Sequence, residues 1–196
     1  LALAQTIASC GGVCAFHLRN EDNELLESID EVLGLGKVTG APIHICHLKA
    51  DGKPNWGKAI EGLEKIRQSR TEGVRATVDQ YPYDAFSTQL SLLIGGWAQS
   101  GGREAFLARL SDPNLQERIE NEVKQNIDLR GGPGRIQISQ TNSARRDLCG
   151  KTIEKLAAEM DITAAKVVIQ LILEERGGIW GTFFGMDRIE VDYLLS

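Results

Sequence analysis

The sequence predicts an α/β fold, a parallel sheet covered by helices, of the kind that closes into a TIM-type barrel. Three observations predict it. Short apolar runs beginning at Val13, Pro42 and Val74 each end on a polar residue, His17, His47 and Asp79. These ends recur about every 30 residues, the length of one strand–helix repeat. The stretches between them have helical periodicity and short connections, as in strand–helix–strand units. A doubly wound nucleotide-binding sheet would carry G-x-G-x-x-G after a strand. Gly131-Gly132-Pro133-Gly134 is interrupted by proline and opens no helix, so the barrel is favoured.

The elements follow in order. Alanine and leucine make residues 1–9 helical, and Gly11-Gly12 close that helix. A strand over 13–18 comes next. From Glu24 to Val38, Leu25, Ile29, Val32, Leu33 and Leu35 fall largely on one face, an amphipathic helix that Gly40 and Pro42 end. A strand over 43–48 leads to the loop Asp51-Gly52-Lys53-Pro54. Asn55 is the expected N-cap of a helix from Trp56 to about Arg70, striped by Ala59, Ile60, Leu63 and Ile66. Gly73 closes it before a strand over 74–79.

Beyond Tyr83 the rhythm breaks. Residues 95–150 contain glycine–proline punctuation, helices near 103–110 and 114–127, and a strand near 135–139. The segment is too long for an ordinary strand–helix connection and reads as an inserted rim or lid subdomain within a partial barrel spanning 1–196. Helices near 152–159 and 163–175, a strand over 179–184 and a helix over 188–195 complete the pattern. A helical stretch already under way at Leu1, and no terminating signal near Ser196, are expected of a piece of a longer protein.

Composition narrows the function. The chain has 196 residues, 42% apolar, with net charge −5, enough for one domain with a sizeable core. There is no basic tract or aromatic–basic patch to support nucleic-acid or anionic-membrane binding. Apolar runs fall short of the roughly 20 residues that span a bilayer, and nothing resembles a signal peptide. Cys10, Cys14, Cys46 and Cys149 form no C-x-x-C pair. They read as small buried fillers in a reducing cytoplasm.

Polar residues at the C-terminal ends of successive parallel strands converge on one rim, where TIM-barrel enzymes keep their chemistry. Histidine there is neutral near pH 7 and suits zinc. Strand alternation counted back from His17 puts Val13 and Ala15 inside the barrel, with Cys14 and Phe16 toward the helices. Counted back from His47, it puts Ile43 and Ile45 inside, His44 and Cys46 toward the helices, and Lys49 on the inward side. Asp79 and Tyr81 share a face. Two readings of His17 and His47 stand at this point, a pair of metal ligands or hydrogen-bonded residues at strand ends. His44 falls in the second class by parity. Arg19 and Glu21 read as a mutual salt bridge, Asp79 as a loop cap or orienting group, and Cys46 as a neighbour of His47's surroundings. Catalytic zinc takes three protein ligands plus water, and a further group must accept the water's proton. Spacing yields no third ligand.

The motifs are ordered: His17-Leu18-Arg19-Asn20-Glu21; His47-Leu48-Lys49 with Gly52-Lys53-Pro54-Asn55-Trp56-Gly57-Lys58; and Asp79-Gln80-Tyr81-Pro82-Tyr83 with Ser87-Thr88. Together they resemble the N-acyl-D-amino-acid deacylases (D-aminoacylases) of the amidohydrolase superfamily. The resemblance covers residues 1–95 strongly and 150–195, with Phe184-Gly185-Met186, more loosely. It implies the C-terminal part of a (β/α)8 barrel, about strands five to seven, with an inserted subdomain. It also implies zinc-dependent hydrolysis of a small-molecule N-acyl-D-amino acid to a carboxylate and a free D-amino acid. In the family, zinc polarises the amide carbonyl and the bound water, and an aspartate on the last strand moves the proton. Carried over by motif, His17 and His47 are the strand-five and strand-six metal ligands. Lys49, Tyr81 and Ser87 contact the substrate carboxylate or the reacting carbonyl, Tyr81 at the developing oxyanion.

The family's first-strand His-x-His, cysteine ligand and catalytic aspartate have no counterpart in this sequence, so the fragment alone is expected to be inactive. Phe16 stands where a small polar residue usually precedes the first histidine, and Cys46 where serine usually precedes the second. Two other readings remain, an amidohydrolase acting on cyclic amides and a non-catalytic barrel or binding domain.

Overall fold

The computed structural model describes residues 1–196 as two compact units, Leu1–Asp84 with Met186–Ser196, and Ala85–Gly185. In chain order the first elements are α1 (Ala2–Ser9), β1 (Cys14–Phe16), α2 (Leu25–Thr39), β2 (Ile43–Ile45), α3 (Lys58–Thr71) and β3 (Ala76–Val78). Then come β4 (Phe86–Gln89), α4 (Gly96–Gln99), α5 (Gly102–Leu110), α6 (Gln116–Leu129) and β5 (Ile136–Gln140). The chain continues through α7 (Ile153–Met160), α8 (Ala164–Glu174), β6 (Trp180–Phe183) and α9 (Arg188–Leu194). The fold is mixed α/β. No helix is long and apolar enough to cross a membrane.

In the first unit β1, β2 and β3 form a parallel sheet in that order, with Cys14, Ile43 and Ala76 level at one end and Phe16, Ile45 and Val78 at the other. One face is packed. Cys14, Ile43, Ile45 and Ala76 are buried in a cluster with Leu25 and Ile29 of α2 and Leu63 and Ile66 of α3. Each fully buried Leu or Ile contributes about 1.5–3 kcal/mol relative to exposure, so this face sets the helix positions. At Gly36 the approach leaves no room for a side chain: a Cβ would meet Ile43 Cγ1 at 2.6 Å. On the other face Ala15 and Thr77 are exposed and His44 is half-buried.

The expected parity therefore holds in β1 and is reversed in β2. Ile43 and Ile45 face the helices, and His44 lies on the open face. The alternation cannot be counted back from His47 because β2 ends at Ile45 and Cys46-His47 form a turn. The N-terminus of α3 also departs from expectation. Asn55 lies in a short 3-10 turn, its side chain donating to Asp51 O at 2.8 Å, and Gly57 precedes the helix with φ of +99°. The Ala59 N–H is instead capped by Glu190 of α9, whose Oε1 accepts it at 3.0 Å.

The second unit is built differently. Its antiparallel sheet runs β4-β6-β5, with Phe86 opposite Phe183 and the two rings stacked 5.2 Å apart. One apolar cluster joins Ile136, Ile138 and Phe183 to Phe106 of α5, Ile119 and Val123 of α6, and Ile172 of α8. Thr152 and Thr163 cap α7 and α8 by accepting the N–H of Lys155 and Lys166. The pairing of β4 with β6 makes this unit wider than the 95–150 segment that sequence punctuation marks.

Candidate functional site

The three parallel strands stop at one level, and the chain leaving each of them is polar. Phe16, Ile45 and Val78 lie side by side, so His17, Cys46-His47 and Asp79 emerge from the same edge. Backbone bonds tie these exits together. Cys46 N–H donates to Phe16 O at 2.9 Å, Asp79 N–H to Ile45 O at 3.2 Å, and Leu48 N–H to Asp79 O at 3.0 Å. His47 takes a φ of +42°, in the left-handed region, which costs a non-glycine residue on the order of 1–3 kcal/mol. Asp79 holds that turn: its Oδ1 accepts the His47 N–H at 2.5 Å. Its Oδ2 lies 2.9 Å from His44 Nε2, and His44 Nδ1 lies 2.8 Å from Thr77 Oγ1. The His47 N–H, and then His44, hold the Asp79 carboxyl below the usual carboxylate range. Asp79 is thus both loop cap and orienting group.

The turn brings His17 Nδ1 into contact with His47 Nε2, with ring centroids 4.5 Å apart. The other nitrogen of His47, Nδ1, lies 2.9 Å from Lys49 Nζ and 3.1 Å from Glu21 Oε1. Lys49 Nζ is in turn 2.5 Å from Glu21 Oε2, and the lysine side chain is only 4% exposed. Burial alone would push the Glu21 carboxyl up; His47 and Lys49 overcome it and hold the group below its usual range. Burial pulls the Lys49 ammonium down against the charges of Glu21 and Asp51. The Tyr81 ring lies 6.4 Å from that of His47, and its hydroxyl donates to Met186 Sδ at 3.8 Å. Burial, with the carboxylates of Glu21 and Asp51, raises the Tyr81 phenol well above its ordinary value, so it stays a donor.

His17, His47, Lys49 and Tyr81 all belong to the first unit. Ser87 lies on β4 of the second, its hydroxyl 3.4 Å from Ser139 Oγ. The expected Arg19–Glu21 pair does not form. Exposed Arg19 donates to both carboxylate oxygens of Glu31 on α2, at 3.0 and 2.8 Å. Glu21 turns instead into the cluster, because buried Lys49 requires an anion beside it. Sequence reasoning missed Glu21; the available signal was its place inside the His17–Glu21 motif. The cysteines are not uniformly buried either: Cys14 is, Cys46 is half-buried, and Cys10 and Cys149 are exposed.

No group of three or more His, Cys, Asp or Glu side chains is placed to hold a metal ion. The donor chemistry nevertheless fits part of a ligand set. Two imidazole nitrogens meet at one point, where a shared divalent metal would accept both lone pairs.

No family model matches the sequence. Over 88 residues the chain is 38% identical to the N-acyl-D-glutamate deacylase of Alcaligenes xylosoxydans xylosoxydans, a match covering 45% of this chain and 18% of that protein. It is 30% identical over 90 residues to the D-aminoacylase of the same organism, covering 46% and 18%. A crystal structure of D-aminoacylase, described as defining a novel subset of amidohydrolases, matches with a TM-score of 0.67 at 25% identity, over 97% of this chain and 31% of that one. This chain resembles the D-aminoacylases. The N-acyl-D-glutamate deacylase from Bordetella bronchiseptica, complexed with zinc and a phosphonate inhibitor, shares the fold with a TM-score of 0.70 at 22% identity. It is matched over 98% of this chain and 32% of its own. Another D-aminoacylase structure is a complex with copper chloride, so metals recur among these neighbours. The chain spans about a fifth of the curated D-aminoacylase-like relatives and about a third of the solved ones.

Proposed function

We propose that the protein containing this chain is a zinc-dependent N-acyl-D-amino-acid deacylase, and that the chain supplies part of its metal and substrate site. The carrying observation is the meeting of His17 Nδ1 and His47 Nε2 beyond adjacent parallel strands, in a chain that resembles the deacylases. On this reading β1, β2 and β3 are about strands five to seven of a (β/α)8 barrel, and the inserted rim subdomain lies within the second unit and excludes water. His17 and His47 hold the metal, which when bound supplies a Lewis acid and a water of lowered pKa. Further ligands and the proton-accepting carboxylate are not among the residues gathered here. Lys49 supplies positive charge for the substrate carboxylate, and Ser87 a hydroxyl. Tyr81, kept protonated, donates its O–H to the reacting carbonyl; its present acceptor, a methionine sulfur, is weak and readily exchanged for a developing oxyanion.

The test uses the full-length protein, with bound zinc and hydrolysis of N-acyl-D-amino acids measured together. In His17→Ala or His47→Ala, zinc content and turnover fall together. Tyr81→Phe keeps the zinc and loses about 10²–10³ in kcat, as for one oxyanion donor. Lys49→Met loses roughly 10- to 150-fold in kcat/KM, and less on substrates whose carboxylate is amidated. Retention of zinc by both histidine variants, or a zinc-loaded wild type that hydrolyses no N-acyl-D-amino acid, overturns the proposal.

A further inference from the structure

We infer that Glu21 is the positioning residue that fixes the His47 proton on Nδ1 and so leaves Nε2 bare for a metal. The inference rests on the deacylase reading for His47's role as a ligand, and it adds a residue that reading does not use.

The argument starts from two neighbours with opposite demands. His47 Nδ1 faces a donor, Lys49 Nζ at 2.9 Å, and an acceptor, Glu21 Oε1 at 3.1 Å. If Nδ1 accepts from Lys49, the proton of the neutral ring sits on Nε2, the nitrogen that meets His17, and Nε2 has no lone pair for a metal. If Nδ1–H faces Glu21, Nε2 is bare. The side that satisfies its own atoms prevails. Glu21 Oε1 is buried with no aligned hydrogen-bond donor, a costly state for a carboxylate oxygen, and a small turn of the imidazole brings Nδ1–H onto it. Lys49 already has the other carboxylate oxygen, Oε2, at 2.5 Å. One carboxylate thus takes the lysine charge on one oxygen and the imidazole proton on the other. Glu21 is itself fixed from behind: its carbonyl accepts the Asp51 N–H at 2.7 Å, tying the β1 exit to the segment just past Lys49. A carboxylate on the far nitrogen of a ligating histidine sets its tautomer and orientation, and losing it typically costs 10- to 100-fold in metal affinity.

The test is nitrogen NMR of the metal-free, histidine-labelled full-length protein, at a pH where the ring is neutral, with zinc titration against a competing chelator. The expected wild-type His47 signature is protonated Nδ1 and bare Nε2. In Glu21→Gln, where an amide replaces the carboxylate, the proton redistributes toward Nε2 and zinc affinity falls 10- to 100-fold. Glu21→Asp, which restores the charge, recovers the Nδ1–H form. A wild-type ring already protonated on Nε2 overturns the inference without any variant. So does a Glu21→Gln protein with unchanged tautomer and zinc affinity. The two proposals fail separately. Zinc binding and deacylation with no response to Glu21 removes the positioning role alone; a Glu21-controlled tautomer in a protein without deacylase activity removes the deacylase reading alone.

Discussion

The two units bury charge for different purposes. In the first, buried Lys49, Asp51 and Asn55 lie close in sequence just past a strand exit, beside a sheet with one open face. In the second, the sheet and helices enclose a continuous apolar cluster from Leu90 to Phe183, and buried Glu175 ties a loop by accepting from Ser143 N–H at 2.7 Å and Ser143 Oγ at 2.5 Å. Buried Lys49 thus joins the histidine cluster of the first unit, whereas buried Glu175 fixes a loop in the second. On the proposed reading His17, His47, Lys49 and Tyr81 all lie in the first unit, and only Ser87 lies in the second.

The sharpest way to break that division is in the second unit's core. Phe183→Ala removes a fully buried ring stacked on Phe86 and is expected to cost about 3–5 kcal/mol. Hydrogen exchange in β5 and β6 should accelerate while zinc affinity stays at the wild-type level; an equal loss of zinc affinity would show that the division is false. Next comes Gly62→Ala in α3, where the new Cβ meets Ile29 Cδ1 at 2.5 Å in a full core. Overpacking of this kind costs about 1–3 kcal/mol, read from the denaturant midpoint of the first unit. Thr163→Ala deletes the cap of α8 and is expected to cost about 1 kcal/mol, confined to the second unit.

The smallest expected effect is a difference in pH response. Burial, the largest influence on Glu190, raises its carboxyl despite the α3 N–H groups it caps. Its contribution is therefore greatest in acid and is lost as pH rises from the unfolded value near 4.3 through the raised folded one. Glu175 is opposite: burial pushes it up, but Ser143 and its neighbours outweigh that and lower it. Its contribution is present above about 4.3 and is lost as pH falls through the lowered folded value. Hydrogen exchange at the start of α3 and in the loop at Ser143, followed from about pH 3 to 6, should move in opposite directions. Glu190→Gln should abolish the first trend and leave the second.

Much of the secondary structure was legible because it is local. Apolar periodicity located α2 and α3, and the helices expected near 152–159 and 163–175 match α7 and α8. The recurrence of polar strand ends anticipated which residues would leave the parallel sheet together. What escaped depends on partners distant in sequence. The pairing of Phe86 with Phe183 leaves no mark in local punctuation, so the joining of β4 to β6 was not legible. The positive φ at His47 broke the alternation on which the placement of His44 relied. The choice of Glu21 between Arg19 and Lys49 turned on which cation was buried, a property that follows only once the strand exits have met.

The discontinuity of the first unit has a kinetic consequence. Its closing helix, α9, arrives about a hundred residues after β3, yet Met186 N–H donates to Asp84 O at 3.4 Å, so the points where the chain leaves and re-enters are adjacent. Closing an unstructured loop of that length carries an entropy that grows only with the logarithm of its size. An intervening unit that folds first replaces the floppy loop with a short, rigid span. The order of events then matters more for how fast α9 docks than for how firmly it stays. Exchange of the intervening residues for a brief turn between Asp84 and Met186 is expected to speed the docking of α9.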